Sequence, residues 1–282
     1  MSAFQSLRPR SVIVTRLRAA GCVFAEDEAR LLISTARTPA DLADMVDRRA
    51  AGLPLEHVLG WAEFCGLRIA VDPGVFVPRR RTAFLVRQAA AVARLAARPA
   101  GQTLARPRAV VVDLCCGSGA VGAALVAALD RVELHAVDID PAAVRCARRN
   151  IAAAGGQVYE GDLYEPLPAT LRGRIDVLVA NAPYVPTEAI GLLPPEARIH
   201  EPRVALDGGA DGLDIQRRVT VAAPLWLAPR GYLLVETSEH QAPQTVETFA
   251  RNGLIPQVAS SDELNATVVI GTRPGRQSGP GT

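Results

Sequence analysis

The feature that most narrows the possible folds is an alternation that begins at residue 110. Short apolar runs are each followed by a stretch of helical periodicity: residues 110–114 read as a strand, 120–129 as a helix, 133–138 as a strand and 141–153 as a helix. Further strands fit 157–160, 176–180 and 232–236, and the runs 255–259 and 266–271 predict a terminal antiparallel pair. Short apolar strands alternating with helices imply a mostly parallel sheet covered by helices on both faces. The expected class is α/β.

The first part of the chain has a different character. Leu31, Leu32 and Ile33 recur among charged residues, and Thr38-Pro39 followed by Asp41 has the form of a helix start. Trp61, Phe64, Leu67 and Ile69, with Gly66 between them, read as a β-hairpin, and Asp72-Pro73-Gly74 closes it. A helix is expected near 81–97, before a Pro/Gly/Arg-rich link. The expected division is a helical domain over 1–57, a hairpin linker over 58–75, the α/β domain over 76–273, and a disordered Pro/Gly/Ser-rich tail over 274–282.

Composition excludes several classes. The 282 residues carry a net charge of only +2, from 31 basic and 29 acidic groups, so no overall field draws the chain to nucleic acid or membrane. The five cysteines are odd in number and form no CxxC pair, which argues against a disulfide framework and a structural zinc, and fits a reducing cytoplasm. His57, His135, His200 and His240 are dispersed, and no metal is expected. Arg16 and Arg18 interrupt the apolar run at 11–15, and no stretch is long enough to span a bilayer. A soluble, cytoplasmic protein without direct nucleic-acid binding is expected.

The strand at 110–114 runs into Asp113-Leu114-Cys115-Cys116-Gly117-Ser118-Gly119-Ala120-Val121-Gly122, directly before a helix. Glycines at such a turn let a ligand approach the backbone, because a Cβ would occupy its space. Asp138 closes the next strand, where a carboxylate can accept ribose hydroxyls. Gly117, Gly119 and Gly122 also satisfy the GxGxxG spacing of dinucleotide enzymes, and they could serve only helix packing. Two acids argue against a pyrophosphate: Asp113 beside the loop, and Asp162 after the third strand. Both repel phosphate, whereas Asp113 suits the methionine ammonium of S-adenosylmethionine and Asp162 the adenine amino group. Asp138 could instead cap the next helix, although Asp140 is better placed for that. Cys115 and Cys116, with no histidine near them, read as small loop-lining residues rather than nucleophiles.

The strand at 176–180 ends in Asn181-Ala182-Pro183-Tyr184. An amide nitrogen is a poor nucleophile, its lone pair being delocalised into the carbonyl. Acceptance of its two N–H groups by the Asn181 side-chain oxygen and the Ala182 carbonyl would aim that lone pair and stabilise the developing positive charge. Pro183 would stiffen the turn and Tyr184 would stack on the flat amide. Asn and Pro also favour ordinary turns, which is the competing explanation.

These pieces together resemble the bacterial release-factor glutamine methyltransferase family over nearly the whole length. The matching residues are Pro54-Leu55-Glu56-His57-Val58-Leu59-Gly60, Phe76-Val77-Pro78-Arg79, the loop from Asp113 to Gly119, Asp138, Asp162, the tetrapeptide, Glu201-Pro202, and Ala205-Leu206-Asp207-Gly208-Gly209 with Asp211-Gly212. The resemblance implies a class I methyltransferase domain, Rossmann-like with a seven-stranded, mostly parallel sheet, behind a helical domain that engages a protein substrate. It implies cofactor contacts at Asp113, Cys115, Cys116, Gly117, Ser118, Gly119, Asp138, Ile139, Asp162, Leu163 and Asn181. It also implies a substrate grip at Asn181, Ala182, Pro183 and Tyr184, with Arg79 and Glu201 in support around the pocket, and a glutamine target in the Gly-Gly-Gln loop of a peptide chain release factor.

The chain departs from the family pattern at Ala182, where a first proline is usual, and at Arg80-Arg81, where the family has a proline and an acid. It departs also at Cys115-Cys116 and after Glu236, where Thr237-Ser238 lacks a glycine. A paralogue acting on another protein's glutamine, a nucleic-acid amino methyltransferase, an NAD-linked oxidoreductase and a non-catalytic sensor of S-adenosylmethionine are the alternatives. Arg79-Arg80-Arg81, the only triple basic run, reads either as a solvated helix start or as a small phosphate contact.

Overall fold

The computed structural model describes residues 10–96 and 108–275. The central part of the Pro/Gly/Arg-rich link and residues 276–282 of the expected tail lie outside the described residues.

Helices α1 (Arg10–Ala19), α2 (Ala25–Thr35), α3 (Pro39–Ala50) and α4 (Leu55–Leu59) enclose a core that includes Leu17, Leu32, Met45 and Val58. Thr38 starts α3 by accepting the Asp41 amide on Oγ1 at 3.1 Å, with Pro39 in the first turn. Val58 and Leu59, placed with the hairpin from the sequence, complete α4 instead. A short apolar run does not by itself distinguish strand from helix.

The hairpin β1 (Trp61–Phe64) and β2 (Leu67–Ala70) is more than a connector. Phe64, Ile69 and Val71 are buried in the core of the α/β part. Asn150 fastens the hairpin to that part: its Oδ1 accepts the Ala70 amide at 2.9 Å, and its Nδ2 donates to the carbonyls of Ala70 and Ser118 at 2.8 Å.

Helix α5 (Ala83–Ala96) leads into a seven-stranded sheet. Its strands are β3 (Ala109–Leu114), β4 (Val132–Asp138), β5 (Gln157–Glu160), β6 (Ile175–Ala180), β7 (Leu227–Thr237), β8 (Ile255–Ser261) and β9 (Ala266–Thr272), in the order β5-β4-β3-β6-β7-β9-β8. The first five in that order are parallel, and β9 runs antiparallel to both neighbours. Helices α5, α6 (Ala120–Ala128) and α7 (Pro141–Ile151) cover one face, and α9 (Asp214–Trp226) and α10 (Ala242–Arg251) the other. A short helix, α8 (Pro195–His200), lies in the long connection between β6 and α9.

Strand β7 starts five residues earlier than the sequence suggested, because Pro229 and Gly231 look like breakers yet sit at a register shift opposite Ile175–Val177. The strand order reverses between β3 and β6, which opens a crevice beyond their carboxyl ends. Register aligns Leu114 with both Val137 and Ala180, and Ala180 with Val235, so the residues following β3, β4, β6 and β7 converge on that crevice.

Candidate active site

A cavity of about 450 Å³ occupies the crevice. On the β3 side the backbone takes left-handed turns at Cys115 (φ 56°), Gly117 (φ 54°) and Gly119 (φ 77°). A Cβ on Gly117 would project into open space, so a ligand can come against this part of the loop. Gly119 does not line the cavity: its Cβ would lie 3.1 Å from the Ala147 backbone, so its role is the close approach of α6 to α7. Gly122 is likewise a packing glycine, facing Leu134 and the Asp113 carboxylate. The GxGxxG match is therefore mainly a packing pattern.

Cys115, Cys116, Gly117, Ser118, Asp113, Asp138, Ile139, Asp162 and Leu163 all line the cavity. Asp113 is 1% exposed, its Oδ2 accepts the Gly122 amide at 2.9 Å, and burial raises its pKa from 3.8 to about 7. Asp138 accepts the Gly117 amide on Oδ2 at 2.7 Å and the Asp140 amide on Oδ1 at 2.9 Å. Burial raises its pKa and these amides oppose the rise. Asp140, not Asp138, caps α7, through the Ala142 amide at 2.8 Å. Asp162 pairs with Arg218 at 2.6 Å. Burial, reinforced by Asp138 and Asp113, pushes the thiols of Cys115 and Cys116 far above their usual pKa. Open glycine backbone, a carboxylate at the end of β4 and further acids fit an adenosine cofactor bearing a cationic amino acid. Asp162 is already paired with Arg218 and burial favours the neutral form of Asp113, so the charge that opposes a pyrophosphate is chiefly that of Asp138.

On the β6 side, Asn181, Ala182, Pro183 and Tyr184 line the same cavity. Asn181 Nδ2 donates to Thr82 Oγ1 at 3.3 Å, which commits the donor end of this amide to the protein and turns its acceptor end the other way. Tyr184 donates to Glu236 Oε1 at 3.4 Å, and Arg81 lies over its ring with the guanidinium carbon 5.7 Å from the centroid, covering one ring face. Burial and the Glu236 charge push the Tyr184 phenol up to about 12.

The glycine-rich segment after Ala205 supports this turn. Val185 donates to the Leu206 carbonyl at 3.0 Å and accepts the Gly208 amide at 2.9 Å. Gln241 Nε2 joins the carbonyls of Tyr184 and Asp211 at 3.0 and 2.9 Å. Arg79 and Glu201 also reach the cavity wall, as an ion pair of 2.5 Å, and Glu201 Oε1 accepts the Val77 amide at 3.1 Å. With Arg81 on Glu236 at 3.3 Å, two arginines of the triple run serve internal ion pairs. The run opens a helical turn before α5 with Arg80 and Arg81 exposed, but Arg79 and Arg81 are engaged by Glu201 and Glu236 rather than left as a phosphate patch.

Thr82, Arg81, Glu236 and Gln241 were not singled out for the site from sequence. Each of them reaches the site through contacts distant in sequence. Among the described residues, no group of His, Cys, Asp and Glu is arranged to hold a metal, and no helix is long and apolar enough to cross a membrane.

A seven-stranded sheet with one reversed strand, a glycine cradle after the first strand and an acid ending the second define a methyltransferase of the class I fold. Residues 100–210 match the family model of the methyltransferase small domain. A methyltransferase structure from Pyrococcus furiosus superposes with a TM-score of 0.52 over 74% of this chain and 90% of that one, at 15% identity. The release factor glutamine methyltransferase of Geobacter sulfurreducens is 39% identical over 82% of this chain and 77% of its own length, and that of Mycolicibacterium smegmatis is 36% identical over 84% and 82%. The chain belongs to the release factor glutamine methyltransferase family.

Proposed function

We propose that this protein transfers the methyl group of S-adenosylmethionine to the side-chain amide nitrogen of a glutamine in the Gly-Gly-Gln loop of a peptide chain release factor. The observation that carries the reading is that the Asn181–Tyr184 turn and the Gly117 cradle, which follow the neighbouring strands β6 and β3, line one cavity. The cofactor supplies an electrophilic methyl group on a sulfonium sulfur. Asp113, the Cys115–Ser118 backbone, Asp138, Ile139, Asp162 and Leu163 hold it. The Asn181 oxygen and the Ala182 carbonyl accept the two N–H groups of the glutamine, and Pro183 fixes the backbone that presents them. Tyr184, held by Glu236 and Arg81, offers its remaining ring face to the amide plane. The nitrogen exchanges one proton for a methyl group, with S-adenosylhomocysteine and a proton as co-products.

The helical domain over 1–57 engages the protein substrate in this reading, the hairpin over 58–75 links it, and 76–273 performs the transfer. Its support is that Pro54 and Glu56 line the cavity beside α8 residues, and that Arg49, buried against Glu28 at 2.6 Å, also holds Glu196 of α8 at 2.6 Å. A cytoplasmic setting belongs to the same reading, since release factors act on ribosomes there. The test is incubation with labelled S-adenosylmethionine and either a release factor or its Gln→Ala form in the Gly-Gly-Gln loop. Label is expected in the first alone, and equal labelling of both refutes this substrate.

A further inference from the structure

Behind Asn181 a buried hydroxyl, bonded to its amide, lies near a buried carboxylate that keeps one oxygen unsatisfied. Because Ala180 of β6 lies beside Val235 of β7 in parallel register, Asn181 and Glu236 leave the sheet next to each other. Thr82, which ends the turn before α5, stands between them and is 2% exposed. Its Oγ1 accepts Asn181 Nδ2 at 3.3 Å, and its hydroxyl is the largest hydrogen-bonding influence favouring the charged form of Glu236. Glu236 is also 2% exposed; Oε1 takes Arg81 and Tyr184, while Oε2 is buried without a donor in bonding geometry.

We propose that Glu236, acting through Thr82, is the positioning residue that fixes which way the Asn181 amide faces and keeps its oxygen on the substrate side. The inference rests on the reading of Asn181 as an acceptor for the glutamine amide. A carboxylate can only accept, and an under-satisfied buried carboxylate holds strongly to the hydroxyl proton beside it. Thr82 has one such proton. Once it is turned toward Glu236, Oγ1 can only accept, and the one partner that suits it is the Nδ2–H of Asn181. A flipped Asn181 would place Oδ1 against the lone pairs of Oγ1, two buried acceptors in contact. Arg81 maintains the polarity by favouring the ionised carboxylate against the effect of burial. Nitrogen and oxygen of an amide are nearly equal in size, so packing alone orients them poorly, and charge does so here. The lock matters more in this chain because Ala182 lacks the fixed φ of a proline.

The test uses the full chain with a release factor and three near-isosteric variants, Thr82→Val, Thr82→Ser and Glu236→Gln. Thr82→Val and Glu236→Gln are expected to lower kcat about 10- to 100-fold with little change in KM or in affinity for S-adenosylhomocysteine, and Thr82→Ser to recover most of the loss. Parental kcat in Thr82→Val, or a Ser variant as impaired as the Val variant, overturns the proposal. So does a joint loss of turnover and S-adenosylhomocysteine binding, which marks a merely structural role. A second measurement needs no substrate: the side-chain NH₂ resonances of Asn181, assigned by their disappearance in Asn181→Ala. One set is expected in the parent and two sets, or exchange broadening, in Glu236→Gln, whose amide can turn the Thr82 hydroxyl around. An unchanged single set overturns the proposal. A parent that leaves the release factor unmethylated refutes the functional reading instead, and the amide resonances still decide the orientation.

Discussion

Gly208→Ala probes the acceptor turn from behind, without touching a reacting group. A Cβ at position 208 would lie 2.5 Å from the Gly212 carbonyl oxygen and 2.7 Å from that of Pro183. Both neighbours are backbone, so no side chain can swing aside, and the φ of Gly208 is not in the left-handed region, so the cost is purely steric. Taking 3.4 Å as the start of ordinary contact, the Pro183 carbonyl must retreat by roughly 0.7 Å and that of Gly212 by roughly 0.9 Å. Overpacking of this kind costs about 1–3 kcal/mol, which lowers Tm by roughly 2–10 °C in a chain of this size. The larger effect falls on turnover. A misplacement approaching 1 Å in groups that orient the reactants lowers kcat on the order of 100-fold. The cradle after β3 is independent of this contact, so calorimetry should find parental affinity for S-adenosylhomocysteine. Steady-state kinetics on a release factor together with a thermal scan decide the matter: parental kcat in a folded Gly208→Ala protein refutes the idea that this backbone seat positions the acceptor.

Asn181→Ala should lower kcat by about 100- to 1,000-fold while S-adenosylhomocysteine binds as before, and substantial residual turnover would count against the clamp. Arg49→Ala leaves Glu28 buried and unpaired, its side chain only 10% exposed, and should cost about 3–5 kcal/mol in urea denaturation. A change below about 1 kcal/mol would mean that this ion pair does not hold the helical part in place. Asp113, with its pKa near 7 in the fold against 3.8 ordinarily, keeps a proton that the unfolded chain releases. Its contribution to stability therefore falls as pH rises between those values, by on the order of 4 kcal/mol in total. Asp113→Asn should raise Tm at pH 8 and leave it unchanged near pH 3, and an equal effect at both would contradict the assignment.

What the sequence made legible was local. The strand, loop and helix around Gly117, the acid ending β4 and the turn at Asn181 each depend on neighbours in the chain, and periodicity and turn chemistry report on neighbours. The Thr82–Asn181 contact spans 99 residues and that of Arg49 with Glu196 spans 147, so neither leaves a local trace. The sequence assigned Gly119 to the ligand because spacing alone does not separate a glycine that admits a ligand from one that admits a helix. The triple arginine run was legible as an exposed helix start but its ion pairs were not, because charge density along a chain does not tell which carboxylates the fold will bring to it. Pro229 and Gly231 signalled a break where pairing with β6 and β9 sustains a strand through a register shift.

The two thiols of the cradle carry a last consequence. A methyl donor that can alkylate an amide would alkylate a thiolate far more readily, so cysteines on the donor's own seat expose the enzyme to self-inactivation. Burial keeps Cys115 and Cys116 protonated, and Asp138 and Asp113 add to its effect in silencing the competing sulfur nucleophiles. A chain that opened this loop to water while keeping the cysteines would lose the larger part of that protection.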